Sequence, residues 1–413
     1  MFLHLIPDEK FIDDAISRFE RIDPGQHIFI YLAPANPVSF KHLKQTDKIT
    51  VVPVSSLASN DYLVNIHQFT AVFVHSLLNP HFVEFINQSD KNTIFIWIFW
   101  GAELWTLKQF KTKAYLPLTK FLYYMHILHG KWEKLKRNLD KYTSLLFDAG
   151  MIKTIRIISG KLIHPTPTHC HSVKDGDVVK AIRRINYIIP VILDDGELLK
   201  QLLPCSAKLL EWNYSPGIPL NELSNPVPLC SRNILIGNSA HYTNNHWDIF
   251  VKLKKHTELF DKVIVPLSYG DPVYTKAIVR KGTNLLGSKF HPLLDFLPAP
   301  EYFSQVSNCY AAIFNSVRQQ AMGNIIVSLY CGSKVFLRQE NPIYLFLKKQ
   351  NAVVFSIQKD LNQAALKEPL SADIKARNRN VIRNLYSDET LDKKTRYLLS
   401  YLNTQKRPQE GKA

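Results

Sequence analysis

The stretch NILIGNSAHYTNNHWDIF, residues 233–250, contains the pattern that decides the fold. Its apolar run at 233–236 has the length of a buried strand, a polar turn follows at 237–239, and a helix is predicted to begin near 244–246. The glycine permits close backbone approach, and free N–H groups at a helix start attract anions. The turn is therefore a candidate cradle for a diphosphate. A plain capped turn would use the same residue types, because Asn and Ser are favoured N-cap residues.

Short apolar runs alternate with segments of helical length along most of the chain. They lie at 27–33, 48–54, 70–76, 93–100, 187–193, 207–212, 233–239, 262–268, 310–315, 333–339 and 352–357. Continuous apolar strands that alternate with helices are typical of parallel sheets covered on both faces. We therefore predict an α/β protein of two Rossmann-like domains, with ligand in the crevice at the carboxyl ends of the strands.

Length and one interruption of the pattern set the predicted domain boundaries. The 413 residues are too many for one compact core. The pattern restarts at Asn233, after a segment rich in proline and polar residues. We predict an N-terminal domain at 1–212, a linker at 213–232, a C-terminal domain at 233–403 and a disordered tail at 404–413.

Composition restricts the partners and the compartment. A net charge of +16 calls for an anionic partner, which is nucleic acid, an anionic membrane surface or a phosphorylated small molecule. The five cysteines include no CxxC pair, which argues against a disulfide framework or a structural zinc site and favours a reducing compartment. There is no signal-peptide pattern and no apolar run long enough to span a bilayer. We expect a cytoplasmic protein, soluble or peripheral on a membrane.

The segment 107–143 is strongly basic and interleaved with aromatic residues. An amphipathic segment of this kind can lie on anionic lipid. An ordinary helix pair with solvated lysines would show the same pattern. Its nine basic residues, against the two acids Glu133 and Asp140, are Lys108, Lys111, Lys113, Lys120, Lys131, Lys134, Lys136, Arg137 and Lys141.

Two more polar loops follow predicted strands in the second half, and they should emerge at the same edge of the sheet as the turn at Gly237. In the loop 315–324, Arg318 offers a planar fork of donors that suits phosphate oxygens. In the loop 338–347, Glu340 could accept hydrogen bonds from ribose or sugar hydroxyls. Each could also be a solvated surface turn. The predicted donor-binding residues are Gly237, Asn238, Ser239, Asn244, Asn245, His246, Tyr269, Arg318, Gln319, Gln320, Gly323, Asn324, Glu340 and Asn341.

Two candidate bases follow strands of the first half. Glu103 comes just after the apolar run 93–100, and a carboxylate beside aromatic residues can have a raised pKa and act as a general base. His75, at the end of another apolar run, is the rival. For either residue the alternative is a side chain that is simply paired or solvated.

Several familiar motifs are missing. There is no Walker-type GxxxxGK[ST], no HExxH, no GxSxG and no GxGxxG after the first strand. A DxD pair that would hold a metal against a sugar diphosphate is missing too; Asp194-Asp195 and Asp175-Gly-Asp177 are the nearest, with neighbours that do not suggest a site. The absence of these motifs disfavours kinase, zinc protease and simple dehydrogenase functions.

Seven segments occur in order along the chain: VHSLLNP (74–80), WGAELW (100–105), ILIGNSAHYTNNH (234–246), KVIVPLSYG (262–270), LDFLPAPEYFSQVSNC (294–309), IFNSVRQQAMGN (313–324) and RQENPIY (338–344). Together they resemble the TDP-N-acetylfucosamine:lipid II N-acetylfucosaminyltransferase family, glycosyltransferase family 56. The resemblance covers about residues 70–345 and departs from the family pattern at Ala240-His241 and at 321–324, so the sugar and the nucleotide base stay open.

The resemblance implies a GT-B fold, in which two Rossmann-like domains with parallel sheets face a central cleft. It implies a C-terminal domain that holds a nucleoside-diphosphate sugar and an N-terminal domain that receives a polyprenyl-diphosphate-linked saccharide. The reaction would belong to bacterial surface polysaccharide biosynthesis at the inner face of the cytoplasmic membrane. It would need no metal and no other cofactor, because helix N-termini and arginine replace the cation at the leaving diphosphate.

Two other functions remain open. A nucleotide-sugar epimerase or hydrolase of the same fold would act on the donor without any lipid acceptor. A basic, non-catalytic nucleic-acid-binding protein would also carry this charge, although the chain has no recognised nucleic-acid motif and we expect no nucleic-acid partner.

Overall fold

In a computed structural model of the chain, the secondary structure forms two parallel sheets, each with helices on both faces. The structure describes residues 1–33, 39–54, 65–130, 132–133, 174–217, 220 and 231–405. The predicted pair of Rossmann-like sheets is confirmed.

The N-terminal sheet has seven strands in the order β3-β2-β1-β4-β5-β6-β7, and every neighbouring pair is parallel. Its central strands are buried on both faces, which is why their sequences are continuously apolar. The strands are β1 Phe2–Leu5, β2 His27–Ala33, β3 Ile49–Pro53, β4 Ala71–His75, β5 Phe95–Phe99, β6 Tyr187–Pro190 and β7 Lys208–Leu209. The helices are α1 Ile12–Ile22, α2 Pro80–Gln88, α3 at 117–130, α4 Asp175–Arg183 and α5 Leu193–Leu202.

The C-terminal sheet repeats this topology with six parallel strands in the order β10-β9-β8-β11-β12-β13. Its strands are β8 Asn233–Ile236, β9 Val263–Pro266, β10 Phe290–Leu293, β11 Cys309–Phe314, β12 Lys334–Leu337 and β13 Phe355–Ser356. The helices are α6 His246–Leu253, α7 Pro272–Leu286, α8 Ala299–Ser307, α9 Met322–Cys331, α10 Pro342–Lys349, α11 Gln363–Lys367, α12 Ala372–Tyr386 and α13 Asp388–Thr404.

Three of the helices that follow strands begin in the same way, with a capping side chain and then proline. The side chains of Asn79, Asp271 and Asn341 accept hydrogen bonds from the first turns of α2, α7 and α10. Proline at the next position fixes the helical φ and lacks only a donor that would be unpaired anyway. These caps fix where each loop at the sheet edge ends.

The last helix crosses back to the first domain. In α13, Leu398 and Leu402 pack in the same hydrophobic cluster as Phe19 of α1 and Trp212. Trp212 Nε1 donates to Thr395 Oγ1 of α13 at 2.8 Å. A helix that the sequence analysis groups with the C-terminal domain therefore packs on the N-terminal core.

Helix α3 crosses in the opposite direction and docks on the C-terminal domain. Asp248 of α6 accepts hydrogen bonds from Leu118 N and Thr119 N at 3.0 Å, so a residue of one domain caps a helix of the other. Leu122 is buried in the C-terminal core. The two exchanged helices hold the two sheets against each other.

Some sequence predictions concern residues outside the described ranges. These are Lys131, residues 134–143 of the basic segment, Cys170, Cys230, residues 218–219 and 221–230 of the predicted linker, and residues 406–413 of the tail. Within the described ranges, no helix combines the length and the apolarity that a membrane span requires.

Candidate active site

The turns that begin at Gly237 and Asn315 lie side by side at the carboxyl edge of the C-terminal sheet, as predicted. Asn245 Nδ2 donates to Asn315 O, and Asn315 Nδ2 donates to Asn245 O, each at 3.0 Å. Gly237 N donates to Ile313 O at 3.1 Å. The loops after β8 and β11 therefore form one continuous surface.

Four side chains connect the loops after β8, β9 and β11 in a hydrogen-bonded chain. Asn238 Nδ2 donates to Tyr269 OH at 3.1 Å, and Gln320 Nε2 donates to Asn238 Oδ1 at 2.8 Å. Thr243 Oγ1 donates to Gln320 Oε1 at 2.6 Å. The Tyr269 side chain is the most open of the four, with 40% of its surface exposed. These four hydrogen-bonded side chains line the side of the cleft that belongs to the C-terminal domain.

Two glycines allow these loops to approach each other. Gly237 has φ +68°, and a Cβ there would lie 2.7 Å from His246 Nε2. Gly270 has φ +129°, and a Cβ there would lie 2.5 Å from the backbone of Ala240. Only glycine avoids both the steric conflict and the strain of a left-handed backbone.

The loop after β12 is tied to the loop after β11. Asn341, which caps α10, donates from Nδ2 to Ser316 O and to Arg318 O, each at 3.0 Å. Glu340 accepts a hydrogen bond from Arg338 at 2.8 Å, and its carboxylate is half exposed. Asn341 therefore holds the loop after β11 in place through hydrogen bonds, whereas the Glu340 carboxylate is accessible to a ligand.

Arg318 lies where the two domains meet. Burial lowers the pKa of its guanidinium to about 10, and the nearby carboxylates of Asp195 and Glu103 act in the opposite direction. One nitrogen, Nη1, donates to Gln319 O at 2.8 Å, and Nε has no hydrogen-bond partner among the described residues. The guanidinium therefore lies in the cleft with at least one N–H group that no described residue accepts.

Glu103 faces Arg318 from the N-terminal domain. Its Oε1 accepts hydrogen bonds from Ser76 Oγ at 2.9 Å and from Trp100 N at 3.2 Å. Burial raises the pKa of the carboxyl, and these hydrogen bonds partly offset the rise. Ser76 has φ +83°, a strained backbone for a residue other than glycine, and such strain clusters at functional sites.

Asp195 is the second carboxylate of the cleft and comes from the first turn of α5. It is 1% exposed, and burial raises its pKa to about 7, although Arg318 acts to lower it. Its neighbour Asp194 forms an ion pair with Lys349 of α10, which joins the two domains at the same seam.

Comparison with known proteins identifies the class of enzyme. Residues 223–392 match the family model described as "4-alpha-L-fucosyltransferase glycosyl transferase group 56". The chain is a glycosyltransferase of the GT-B fold. The family resemblance seen in the sequence is confirmed for this part of the chain.

Solved structures show the fold of the whole glycosyltransferase. Sucrose-phosphate synthase from Thermosynechococcus elongatus is similar with a TM-score of 0.60 and 8% identity, over 98% of this chain and 99% of that chain. A glycosyltransferase from Rickettsia africae is similar with a TM-score of 0.56 and 11% identity, over 98% and 99%. HepE from Anabaena, in complex with UDP-glucose, is similar with a TM-score of 0.59 and 10% identity, over 97% and 99%.

Several residues of the glycosyltransferase that were predicted to bind substrate or act as a base are instead buried and contact other protein groups. Both ring nitrogens of His75 are paired, with His4 at 3.0 Å and with Tyr214 OH at 2.5 Å, and burial lowers its pKa to about 3. His75 therefore has no free nitrogen for an acceptor, and its proposed role as a base is not supported. His246 is fully buried, with Nδ1 3.1 Å from Tyr274 OH, and burial lowers its pKa to about 3.

Asn244 and Asn245 also support the loop from within. Asn244 Nδ2 donates to Ser239 O at 2.7 Å, and Asn245 is fully buried between the two domains. The N-terminus of α6 is covered, because Tyr274 OH lies 3.3 Å from His246 N and residues 114–116 lie against Asn245. The predicted anion site at this helix start is therefore occupied by protein.

Gly323 and Asn324 mark the start of α9, where the chain segment before β8 passes. A Cβ on Gly323 would lie 2.8 Å from Pro216 O, so this glycine makes room for the backbone on that side. Asn324 Nδ2 donates to Tyr302 OH at 2.7 Å. Both positions therefore face neighbouring protein groups.

Sequence reasoning missed Asp195 and Arg338. Asp195 begins the helix that follows β6, so the rule used for the other loops, polar residues after buried strands, could have found it. Arg338 contacts Asn315 Oδ1 at 3.4 Å and Glu340, and has an unpaired Nε among the described residues. It is a second cation at the donor side of the cleft.

Proposed function

We propose that this glycosyltransferase moves a sugar, N-acetylfucosamine-like or another hexose, from a nucleoside diphosphate to a polyprenyl-diphosphate-linked saccharide in bacterial surface polysaccharide biosynthesis. The observation that carries the proposal is Arg318, a half-buried cation at the convergence of the donor loops, opposed by two carboxylates of the other domain. A diphosphate leaving group suits the arginine, and a hydroxyl acceptor suits the carboxylates.

On the donor side, the proposed contacts are Arg318, the Asn238–Tyr269 pair and Glu340. Arg318 stabilises the charge that develops on the leaving diphosphate as the sugar bond breaks. Exposed Tyr269 and Glu340 are placed to contact the base, ribose or sugar. Because the arginine supplies the positive charge, we propose that transfer needs no metal and survives a chelator.

On the acceptor side, Glu103 is the proposed candidate base. Its Oε1 is held by Ser76 and Trp100, so the carboxylate has a fixed orientation toward the cleft. In a reaction that inverts the anomeric centre it would take the proton of the attacking hydroxyl. In a reaction that retains configuration it would orient the acceptor.

A nucleotide panel tests the donor half of this proposal. We expect one of UDP, TDP, GDP and CMP to raise the melting temperature, because a ligand at one hundred times its Kd stabilises the native state by about 2.7 kcal/mol. UDP is included because the similar Anabaena protein is solved with UDP-glucose. If none of the four raises the melting temperature, the donor assignment is wrong.

The acceptor half is tested by transfer. A radiolabelled nucleotide-sugar that carries the preferred base is incubated with the enzyme, with and without a lipid extract that contains polyprenyl-diphosphate saccharides. Label that enters the lipid fraction supports the proposal. Conversion or hydrolysis of the donor in the absence of lipid would favour an epimerase or hydrolase instead.

We also propose that α3 holds the enzyme on the inner face of the cytoplasmic membrane. Its exposed apolar residues recur at helical spacing and form one stripe, while Leu122, about a quarter turn around the helix, is buried in the C-terminal core. Lys120 is exposed next to Phe121, and Lys111 and Lys113 are exposed in the segment before the helix, so all three can complement anionic lipid. The stripe consists of Phe121, Tyr124, Met125, Leu128 and, one turn further on, Trp132.

The double variant Phe121→Ser, Leu128→Ser should release the protein from membranes. Removing two large side chains from the lipid interface should weaken binding about 100-fold or more, since each buried side chain contributes about 1.5–3 kcal/mol. Co-sedimentation with phosphatidylglycerol–phosphatidylcholine vesicles measures this. Tyr397→Ser, which removes an equally exposed aromatic from α13, is the control. Unchanged sedimentation of the double variant, or self-association through this face, would contradict the proposal.

A further inference from the structure

Oxygen atoms from both domains border a single point in the cleft, next to Gly101. Gly101 follows β5 and has φ +79°. A Cβ at this position would lie 2.6 Å from Gln319 Oε1 of the C-terminal domain and 2.7 Å from Asp195 Oδ2 of the N-terminal domain. Only glycine tolerates two oxygens this close to its backbone.

These oxygens are buried and without hydrogen bonds. In the part of the chain that the structure describes, no donor reaches Asp195 Oδ1, Asp195 Oδ2, Gln319 Oε1 or Glu103 Oε2. Asp195 is 1% exposed and Gln319 is 4% exposed. If the Gln319 amide were turned over, its nitrogen could donate to one Asp195 oxygen, but the other oxygen and Glu103 Oε2 would still lack a partner.

Buried polar atoms in native proteins are nearly always paired, so a set of unpaired ones calls for a ligand. All four atoms accept hydrogen bonds, and the complementary ligand is therefore rich in donors. Sugar hydroxyls fit this requirement. Arg318, on the other side of the cluster, is the group that suits a diphosphate.

We propose that Asp195, Glu103 and Gln319 form a subsite for the hydroxyls of the acceptor sugar, in which Glu103 receives the attacking hydroxyl and Asp195 accepts a hydrogen bond from a neighbouring hydroxyl of the same sugar. This inference rests on the proposed function and adds to it the location of the acceptor and a second carboxylate that binds it. Asp195, Glu103 and Gln319 are all buried, so the proposal requires the loops that carry Gly101 and Gln319 to separate as the acceptor binds.

The variant Asp195→Asn tests the subsite. It keeps the size of the side chain but replaces one accepting oxygen with a donor and removes the charge. We expect kcat/KM for the lipid-linked acceptor to fall about 10- to 100-fold, the range expected for a hydrogen bond to a charged group. The Kd of the preferred nucleoside diphosphate, measured by calorimetry, should stay within about two-fold, because Asp195 lies outside the donor loops.

A pH profile separates this contact from a merely structural role. The charged groups that face Asp195 are Arg318, from the loop after β11, and Glu103, from the turn after β5. Because the ionised form of Asp195 is the better acceptor, kcat/KM of the wild-type enzyme should rise as pH increases through about 7. The Asp195→Asn enzyme should lose this rise.

Glu197→Gln is the matched control, since Glu197 lies in the same helix and is exposed. The subsite is wrong if Asp195→Asn changes kcat/KM no more than this control, or if nucleotide binding falls in parallel with activity. Failure of the proposed function looks different. In that case the wild-type enzyme itself moves no label to lipid.

Discussion

Arg318→Ala should lower kcat for sugar transfer about 10²- to 10³-fold, the range measured when one preorganised donor to a developing oxyanion is removed. The guanidinium is half-buried beside the carboxylates of Asp195 and Glu103, on the side of the cleft proposed to hold the leaving diphosphate. Steady-state transfer with saturating nucleotide-sugar and lipid acceptor measures the effect.

Two further variants isolate the cause of this loss. Arg318→Lys keeps a positive charge but lacks the planar fork, so it should recover only part of the rate. Arg396→Ala removes an arginine from the exposed face of α13 and should leave kcat unchanged. Near-normal transfer by Arg318→Ala would show that the leaving diphosphate is stabilised by other groups.

The fold was predictable because its signals are local. Strands such as β5 are buried on both faces and therefore apolar at every position, and β8 enters a helix through a glycine turn. Loops that follow strands of one parallel sheet must emerge at one edge, which is why the juxtaposition of Gly237 and Asn315 could be predicted. The exchange of α3 and α13 between the domains could not be predicted in the same way. It depends on tertiary contacts, and a run of apolar residues does not specify which domain it packs against.

The site was less predictable than the fold, since residue type does not show whether an amide faces ligand or protein. Asn238 and Asn245 lie in the same loop and were predicted to have the same role. The structure places Asn238 at the cleft beside exposed Tyr269, and Asn245 in the interior. Asp195 was set aside because no metal motif surrounds it, yet its partners in the cleft come from distant parts of the chain.

The side chain of Asn245 holds both the donor loop and the domain interface in place. Its Oδ1 accepts from Leu116 N at 2.8 Å, and its Nδ2 lies within 3.1 Å of Ala114 O, Thr243 O and Asn315 O. One amide thus holds the segment before α3 against the loops after β8 and β11. Its backbone is left-handed, with φ +50°, which Asn tolerates better than Ala.

Asn245→Ala should destabilise the protein by about 3–5 kcal/mol, because it leaves Leu116 N and several buried carbonyls without partners. We expect the melting temperature to fall by about 5–10 °C. Asn351→Ala is the matched control, since Asn351 is exposed and has φ +63°, so that variant loses only the backbone preference of about 1 kcal/mol. The difference between the two variants isolates the side-chain hydrogen bonds. Equal melting temperatures would mean that the domains are held together without this amide, and that the donor loops keep their arrangement by packing alone.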